Sequence, residues 1–161
     1  MAKPPQDRFV TSTNTYFVTA SAFEKQALFQ SERVAKLLAE SLLEYRQQGR
    51  FLLHEFVIMP NHLHVLFTMG TAVTLERAMQ FIKGGFSHRA GKQLEMKGET
   101  WQRGYVDHRI RDARDFAYHR EYIRQNPVRA RLAESPENYP YSSAFPGFAL
   151  DDAPQGLKPK L

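Results

Sequence analysis

Two histidines separated by one residue, His62 and His64, stand inside the apolar stretch IMPNHLHVLF. Alternate residues of a β-strand point to the same face of a sheet, so both imidazoles would project side by side while Leu63 and Val65 face the other way. Two imidazoles at this spacing can bind one divalent cation together. The pair could instead be two polar side chains on the wet side of a strand. In either case we expect both rings on the accessible face of the sheet.

A third candidate ligand lies downstream, in the sequence FAYHREYIRQNPVRARL. Tyr122 and Asn126 are four residues apart, so in a helix they would share one face. The amide oxygen of asparagine is a hard ligand suited to magnesium or manganese, and the tyrosine offers a phenol. The alternatives are a tyrosine that packs at the edge of the core and an asparagine that ends a helix before Pro127.

The basic residues are unevenly distributed. Lysine and arginine total 22 against 17 acidic residues, which gives a formal net charge of +5. Residues 101–131 contain eight of the arginines and only four acidic residues. Guanidinium groups bind phosphate oxygens in a bidentate manner, which favours a polyanionic partner. A solvated helix face with ion pairs is the alternative.

Length and composition restrict the class of protein. A chain of 161 residues with 42% hydrophobic residues predicts one globular domain, with a core over about residues 9–145 and an irregular tail over 146–161. It has no cysteine, which excludes disulfides, thiolate metal sites and a cysteine nucleophile. We expect no membrane association and a cytoplasmic, nucleoid-associated location, because neither a signal peptide nor an apolar run of membrane-spanning length is visible.

Strands and helices are predicted from hydrophobic periodicity and from the positions of turn and capping residues. Strands are predicted at residues 9–19, 51–59, 62–69 and 101–110, with a hairpin turn between the second and third. Helices are predicted after the capping residues Ser31, Thr74 and Asp112. We expect the glycine pair at 84–85 to bend or end the second helix, and Pro127 to end the third near Asn126.

The resulting order, β-α-β-β-α-β-α, predicts an α+β fold. Its first six elements match the ferredoxin-like pattern, an antiparallel sheet with helices packed on one face. The additional C-terminal helix carries Tyr122.

Several motifs in this order resemble one known family. IMPNHLHVLF, WQRGYVDHRIRD, YIRQNPVRARL and YPYSSA are similar to the REP-associated tyrosine transposases, members of the HUH class of single-strand DNA nucleases. The resemblance extends over about residues 16–144. It implies that His62 and His64 bind a divalent metal, Mg²⁺ or Mn²⁺, that Tyr122 is the nucleophile, and that Asn126 is the third metal ligand.

The resemblance also implies a DNA partner and a reaction. Family members act on hairpins of repetitive extragenic palindromes and form a 5′-phosphotyrosine, so we expect single-stranded or hairpin DNA to be bound by a monomer or homodimer. Tyr118 precedes Tyr122 by four residues, the spacing of two-tyrosine replication nucleases, but the surrounding motif favours Tyr122. For Trp101 we expect core packing rather than base stacking. The candidate phosphate contacts are Lys83, Arg89, Arg103, Arg109, Arg111 and Arg124.

Two other functions are compatible with the sequence. A ferredoxin-like sheet with basic and aromatic residues can bind single strands without cutting them. A metal-dependent hydrolase of small phosphoesters would form no covalent adduct with DNA and would not explain the arginine-rich segment.

Overall fold

The structure, a computed structural model, describes residues 14–157 and contains the predicted order of elements. The helices and strands are β1 (Thr15–Ser21), α1 (Glu32–Gln47), β2 (Phe51–Met59), β3 (His62–Met69), α2 (Leu75–Leu94), β4 (Val106–Arg109) and α3 (Ala113–Arg129). Residues 9–13 of the predicted first strand lie outside the described residues. The last strand is shorter than predicted, because residues 102–105 form a connection and Trp101 makes only an isolated bridge with Ala22.

The four strands form one sheet in the order β2-β3-β1-β4, and every neighbouring pair is antiparallel. This is the ferredoxin-like arrangement. Strands β2 and β3 are joined by the two residues Pro60 and Asn61, so β3 begins at His62. The α+β fold predicted from the sequence is confirmed.

The sheet buries apolar side chains on both faces. On one face, Val18, Leu63 and Val65 belong to a core that includes the buried residues of α1 and α2. On the other face, Leu66 belongs to a smaller core with Phe116 and other residues of α3. Helix α3 therefore covers the sheet face toward which alternation directs His62 and His64.

Helix α2 runs unbroken through its glycine pair, so the predicted bend or end there is wrong. A Cβ atom at Gly85 would overlap the hydroxyl group of Tyr45 on α1. The glycine thus permits close approach of two helices, and their packing offsets its low helix propensity. The predicted cap is confirmed, since Thr74 accepts a hydrogen bond from the backbone N–H of Arg77 at 3.1 Å. Across residues 14–157, each helix is too short or too polar to cross a bilayer.

Helix α3 also continues past its proline, to Arg129 rather than Asn126. Proline lacks the N–H that would bond to the carbonyl four residues earlier, but it lies within the last turn, where few further bonds depend on it. Pro127 is buried, and the backbone N–H of Ala130 still bonds to the Asn126 carbonyl at 3.1 Å. Burial of the ring accounts for the additional turn.

The irregular C-terminal segment covers the outer edge of β2. Its backbone exchanges hydrogen bonds with Phe56 and Ile58 through residues 141–143, and the Asp151 N–H donates to the Leu53 carbonyl at 2.8 Å. The Asp151 carboxylate also pairs with Arg46 of α1 at 2.9 Å. An edge strand with unpaired backbone groups is a site for aggregation, and this segment pairs those groups.

Candidate active site

His62 and His64 converge at the start of β3. Their Nε2 atoms lie 3.1 Å apart, and the ring centroids are separated by 4.6 Å. His62 is half-buried, whereas His64 is only 5% exposed. The expectation that both rings lie on an accessible face is therefore wrong for His64, because α3 and Phe17 cover it.

The other nitrogen of each ring has a partner of its own. The Asn61 side-chain oxygen accepts a hydrogen bond from Nδ1 of His62 at 2.7 Å. Thr19 lies opposite His64 in the β1–β3 register, and its hydroxyl is 2.8 Å from Nδ1 of His64. Such partners fix the tautomer and the ring orientation of histidines that bind metals. The Asn61 oxygen only accepts, so His62 carries its proton on Nδ1, whereas the Thr19 hydroxyl can accept from or donate to Nδ1 of His64. When Nδ1 is protonated in both rings, both Nε2 lone pairs point into the same space.

Burial keeps both imidazoles neutral. It lowers the pKa of His64 to about 3, and the proximity of His62 and of the Arg129 cation acts in the same direction. Burial also lowers the pKa of His62, with a further contribution from Lys25. Neutral imidazole is the form that binds a metal ion.

Helix α3 brings Tyr122 to this pair. The Tyr122 ring meets His64 edge-on at 5.5 Å between centroids and Phe17 at 5.9 Å. The Arg129 guanidinium carbon lies 4.5 Å from the centroid of the tyrosine ring, and its Nη2 donates to the Tyr122 carbonyl at 3.1 Å. A phenol, two imidazoles and a guanidinium thus lie together, although they come from distant positions in the sequence.

Three adjacent stripes of α3 explain how the helix is held. Phe116, Ile123 and Pro127 form its buried apolar stripe. On the side toward β2, Arg120 Nε donates to the buried Glu55 carboxylate at 2.9 Å, and Arg124 Nε lies 3.9 Å from the same oxygen. The opposite side, at spacings of three and four residues, presents Asp115, His119, Tyr122 and Asn126.

The two remaining residues of the predicted site occupy different positions. Asn126 follows Tyr122 by one turn on the same stripe, but the described residues that line the cleft around the histidines do not include it. Its role as a metal ligand stays a prediction. Tyr118 is 65% exposed and its ring contacts His119 at 5.1 Å, so it points away from the histidine pair.

Five residues in or beside the cleft are absent from the predicted site: Thr19, Ser21, Lys25, Asn61 and Arg129. The cleft is lined by Thr19, Ser21, Lys25, Asn61, His62, His64 and Tyr122. Asn61 stands next to His62 and could have been considered from the M-P-N motif. Thr19 and Lys25 carry no sequence signal, because only strand pairing and the turn after β1 bring them to the cleft. Arg129 is one arginine among the eight of its segment.

The predicted phosphate contacts divide into two groups. Lys83, Arg89 and Arg124 have partners within the protein: the carbonyls of Gln102 and Gly104 for the lysine, Glu44 for Arg89, and Glu55 for Arg124. Arg103, Arg109 and Arg111 have exposed side chains on or beside β4, and Arg111 Nε also lies 3.9 Å from the Asp115 carboxylate.

Trp101 belongs to the core, as expected. It is 7% exposed, packs against Phe29 and Phe86, and donates its indole N–H to the Lys83 carbonyl at 3.0 Å. It therefore presents little surface to a nucleic-acid base.

Comparison with known proteins yields one consistent group. A model of the IS200-like transposase family matches residues 10–126. The REP-associated tyrosine transposase of Escherichia coli strain K12 is 22% identical over 137 residues, covering 84% of this chain and 79% of that protein. A Haemophilus influenzae protein described as uncharacterized is 28% identical over 148 residues, covering 73% of this chain and 82% of its own.

A solved structure shares the fold. The structure of a REP-associated tyrosine transposase bound to a REP hairpin aligns with a TM-score of 0.69 at 20% sequence identity, covering 100% of this chain and 99% of that chain. At this identity, the likeness establishes a common architecture.

Proposed function

The chain belongs to the IS200-like transposase family, a family of DNA-cutting and DNA-joining enzymes, and we propose that it cuts and rejoins single-stranded DNA next to hairpins of palindromic repeats. The hairpin part of this proposal is supported by the DNA in the structure that shares its fold. Tyr122 is the proposed nucleophile, and His62, His64 and Asn126 are the proposed metal ligands.

One observation carries the proposal: the Tyr122 ring lies against His64 in the cleft where the two histidine Nε2 atoms converge. A nucleophile must lie within a few ångströms of the group that activates its target. Phenol and imidazoles reach this cleft from α3 and β3, elements separated by more than 40 residues of sequence.

The histidine pair fits a divalent cation. Both rings are neutral, and the groups on their Nδ1 atoms leave both Nε2 atoms available. Two imidazoles and an amide oxygen carry no charge, so a bound Mg²⁺ or Mn²⁺ would retain its full positive charge and could polarise a phosphate oxygen.

In the proposed cleavage step, the Tyr122 phenolic oxygen attacks the phosphorus of the scissile phosphodiester. The new bond joins the tyrosine oxygen to the 5′-phosphate, and the bond between phosphorus and the 3′-oxygen breaks. The phenol gives up its proton to solvent, and the leaving 3′-oxygen takes one. Lys25, which lines the cleft, would neutralise charge on the phosphate, and Arg129 holds Tyr122 through its contacts with the ring and the backbone carbonyl.

Joining is the reverse step. A 3′-hydroxyl attacks the phosphotyrosine, restores a phosphodiester and releases the Tyr122 phenol. The covalent bond conserves the energy of the broken linkage, so that rejoining consumes no nucleotide triphosphate.

The test is a search for the covalent adduct. Protein is incubated with a single-stranded oligonucleotide carrying a palindromic hairpin and with Mn²⁺, and then digested for mass spectrometry. We expect a nucleotide remnant on Tyr122, none in Tyr122→Phe, and none when EDTA is present. Tyr118→Phe is the matched control and should form the adduct normally. A remnant on Tyr118, or an adduct that persists in Tyr122→Phe, would contradict the assignment. Binding of the oligonucleotide without any cleavage would favour the non-cleaving module.

A further inference from the structure

A second group of potential metal ligands lies at the N-terminal end of α3. His108 of β4 lies next to Asp115 and His119, which are one helical turn apart on α3. None of the three lines the cleft around His62 and His64. The function proposed above makes no use of them.

The ligand atoms of this group converge. His108 Nε2 lies 2.8 and 3.0 Å from the two carboxylate oxygens of Asp115, and His119 Nδ1 lies 3.1 Å from one of them. One nitrogen of each histidine and a carboxylate oxygen all lie within 4.8 Å of one another. Bonds of about 2.0–2.2 Å place two tetrahedral ligands of one ion about 3.3–3.6 Å apart. The contacts of 2.8–3.1 Å to the Asp115 carboxylate are close to that separation, so a small movement of the side chains would admit an ion.

The surroundings hold the group in this arrangement. The Arg111 backbone N–H donates to the Asp115 carboxylate at 2.9 Å, and the Asp115 N–H donates to the capping Asp112 at 2.7 Å. The two histidine rings are stacked, with centroids 4.6 Å apart. Burial by itself would raise the pKa of Asp115, but the hydrogen bonds from Arg111 and His108 and the nearby histidines lower it overall. Asp115 is therefore a carboxylate at neutral pH.

We propose that His108, Asp115 and His119 form a second metal site, one that takes a divalent ion of the zinc type. Two imidazoles and a carboxylate are a ligand set that suits zinc, and a fourth position remains for water. To bind the ion, His108 Nε2 and His119 Nδ1, which lie next to the Asp115 carboxylate, must each present a lone pair. A neutral imidazole presents a lone pair on that nitrogen when its proton moves to the other ring nitrogen, and its net charge does not change.

Such an ion would act on the position of the nucleophile. It would tie β4 to the first turns of α3, and Tyr122 follows His119 by one turn on the same stripe. His119 also packs against Phe17, with ring centroids 4.8 Å apart, and Phe17 in turn contacts both His64 and Tyr122. The ion would thus stabilise the helix end that presents the tyrosine to the cleft.

The experiment is calorimetric titration of the untagged full chain with Zn²⁺, together with thermal unfolding with and without the ion. We expect two bound ions for the wild-type protein. His108→Ala, a partly exposed position on an edge strand, should lose one of them. Asp115→Asn retains an oxygen for the Arg111 N–H and should weaken that site by more than about tenfold. His62→Ala should lose the ion bound by His62 and His64. It should retain the increase in melting temperature that Zn²⁺ produces at the site of His108, Asp115 and His119.

His88→Ala is the matched control, since His88 is an exposed histidine on α2. Its variant should bind both ions as the wild type does. If His108→Ala and Asp115→Asn bind Zn²⁺ with unchanged stoichiometry and affinity, the three residues form only a hydrogen-bonded cluster and the second site is wrong. If instead His62 and His64 do not bind a metal ion, His62→Ala would leave the number of bound Zn²⁺ ions unchanged, so the two proposals can be told apart.

Discussion

At the scale of single residues, the candidate site depends on groups that hold the histidines as much as on the histidines themselves. Asn61 and Thr19 each engage an Nδ1 atom, so the two Nε2 atoms face one another without a polar group of the described residues between them. The two Nε2 atoms lie in hydrogen-bonding contact at 3.1 Å, with one ring as the donor. A cation between them would replace that hydrogen bond, with both Nε2 atoms as ligands.

Thr19→Val should weaken metal binding without unfolding the protein. Valine keeps the β-branched shape but removes the hydroxyl that fixes His64, and removal of such a partner weakens metal binding about 10- to 100-fold. The measurement is the Mn²⁺ concentration that half-saturates cleavage. Ser21→Ala is the control, because Ser21 lines the same cleft and should tolerate the change. Equal Mn²⁺ dependence of the two variants would show that the Thr19 hydroxyl does not orient His64.

At the level of secondary-structure elements, α3 is held by a buried carboxylate whose burial could not be predicted from the sequence. Glu55 is 2% exposed, yet it accepts hydrogen bonds from Arg120 and from the Ser143 hydroxyl of the C-terminal segment. A buried carboxylate without partners is costly, so this contact links β2, α3 and the segment beyond it.

Arg120→Ala should destabilise the fold, by about 1–3 kcal/mol, the usual contribution of a hydrogen bond to a charged group. Denaturant unfolding followed by circular dichroism measures it. The comparison is Arg114→Ala, an exposed arginine on the same helix, which should change the free energy of unfolding by less than about 0.5 kcal/mol. If both variants are equally stable, the pair between Arg120 and Glu55 contributes nothing to holding α3.

His54 of β2 should make stability depend on pH. It is 4% exposed, and it bonds to Thr68 at 2.7 Å and to the Asp151 carbonyl at 3.1 Å. Burial lowers its pKa from 6.5 to about 4. Between these values the unfolded chain binds a proton that the folded chain does not, so stability falls as pH falls from 6.5 to 4, by roughly 3 kcal/mol at most for this group.

The measurement is the free energy of unfolding from pH 7 to pH 4 for the wild type and His54→Gln. Glutamine can still bond to both partners but does not titrate. We expect a shallower decline in the variant. Other carboxylates and histidines contribute equally to both curves, so the difference isolates His54. Parallel curves would mean that the pKa of His54 is the same in the folded and the unfolded protein.

Across the whole protein, some arginines pair with carboxylates and others have side chains that lie mostly in solvent. Arg120 bonds to Glu55, Arg89 to Glu44 and Arg46 to Asp151, and Arg124 lies 3.9 Å from the Glu55 carboxylate. Arg103 and Arg111 lie exposed near β4, at one edge of the sheet, and Arg111 lies 3.9 Å from the Asp115 carboxylate with most of its side chain in solvent. We therefore expect DNA to approach along this edge on its way to the cleft.

The dependence of DNA affinity on salt tests this arrangement. Removing one arginine that binds a phosphate should reduce the slope of log affinity against log salt by about 0.7 for single strands. Arg103→Ala and Arg111→Ala should each show this reduction in fluorescence anisotropy titrations. Arg33→Ala removes the same charge from α1, on the other face of the sheet, and should leave the slope near the wild-type value. If all three variants show the same slope, Arg103 and Arg111 contribute only to the net charge of the protein and make no phosphate contacts of their own.

The order of the elements and the chemically active residue types could be predicted from the sequence. Local information suffices for both: alternation places His62 and His64 on one face of a strand, and capping residues such as Thr74 mark where helices begin. The family motifs are also local, since each lies within a run of about a dozen residues. For the same reason, the predictions at Gly85 and Pro127 are wrong. Their intrinsic preferences oppose a helix, and only contacts with distant residues outweigh those preferences.

Which of these residues lie in contact could not be predicted, because it depends on how the elements pack together. Thr19 reaches His64 through the register of β1 on β3, and Lys25 enters the cleft through the turn that follows β1. The approach of Tyr122 depends on the angle at which α3 crosses the sheet. Hydrogen bonds on opposite sides of α3 hold the helix: Arg120 bonds to Glu55, 65 residues away along the chain, and Asp115 bonds to His108, 7 residues away. Periodicity describes one element at a time, and so it cannot specify contacts that exist only after several elements have packed together.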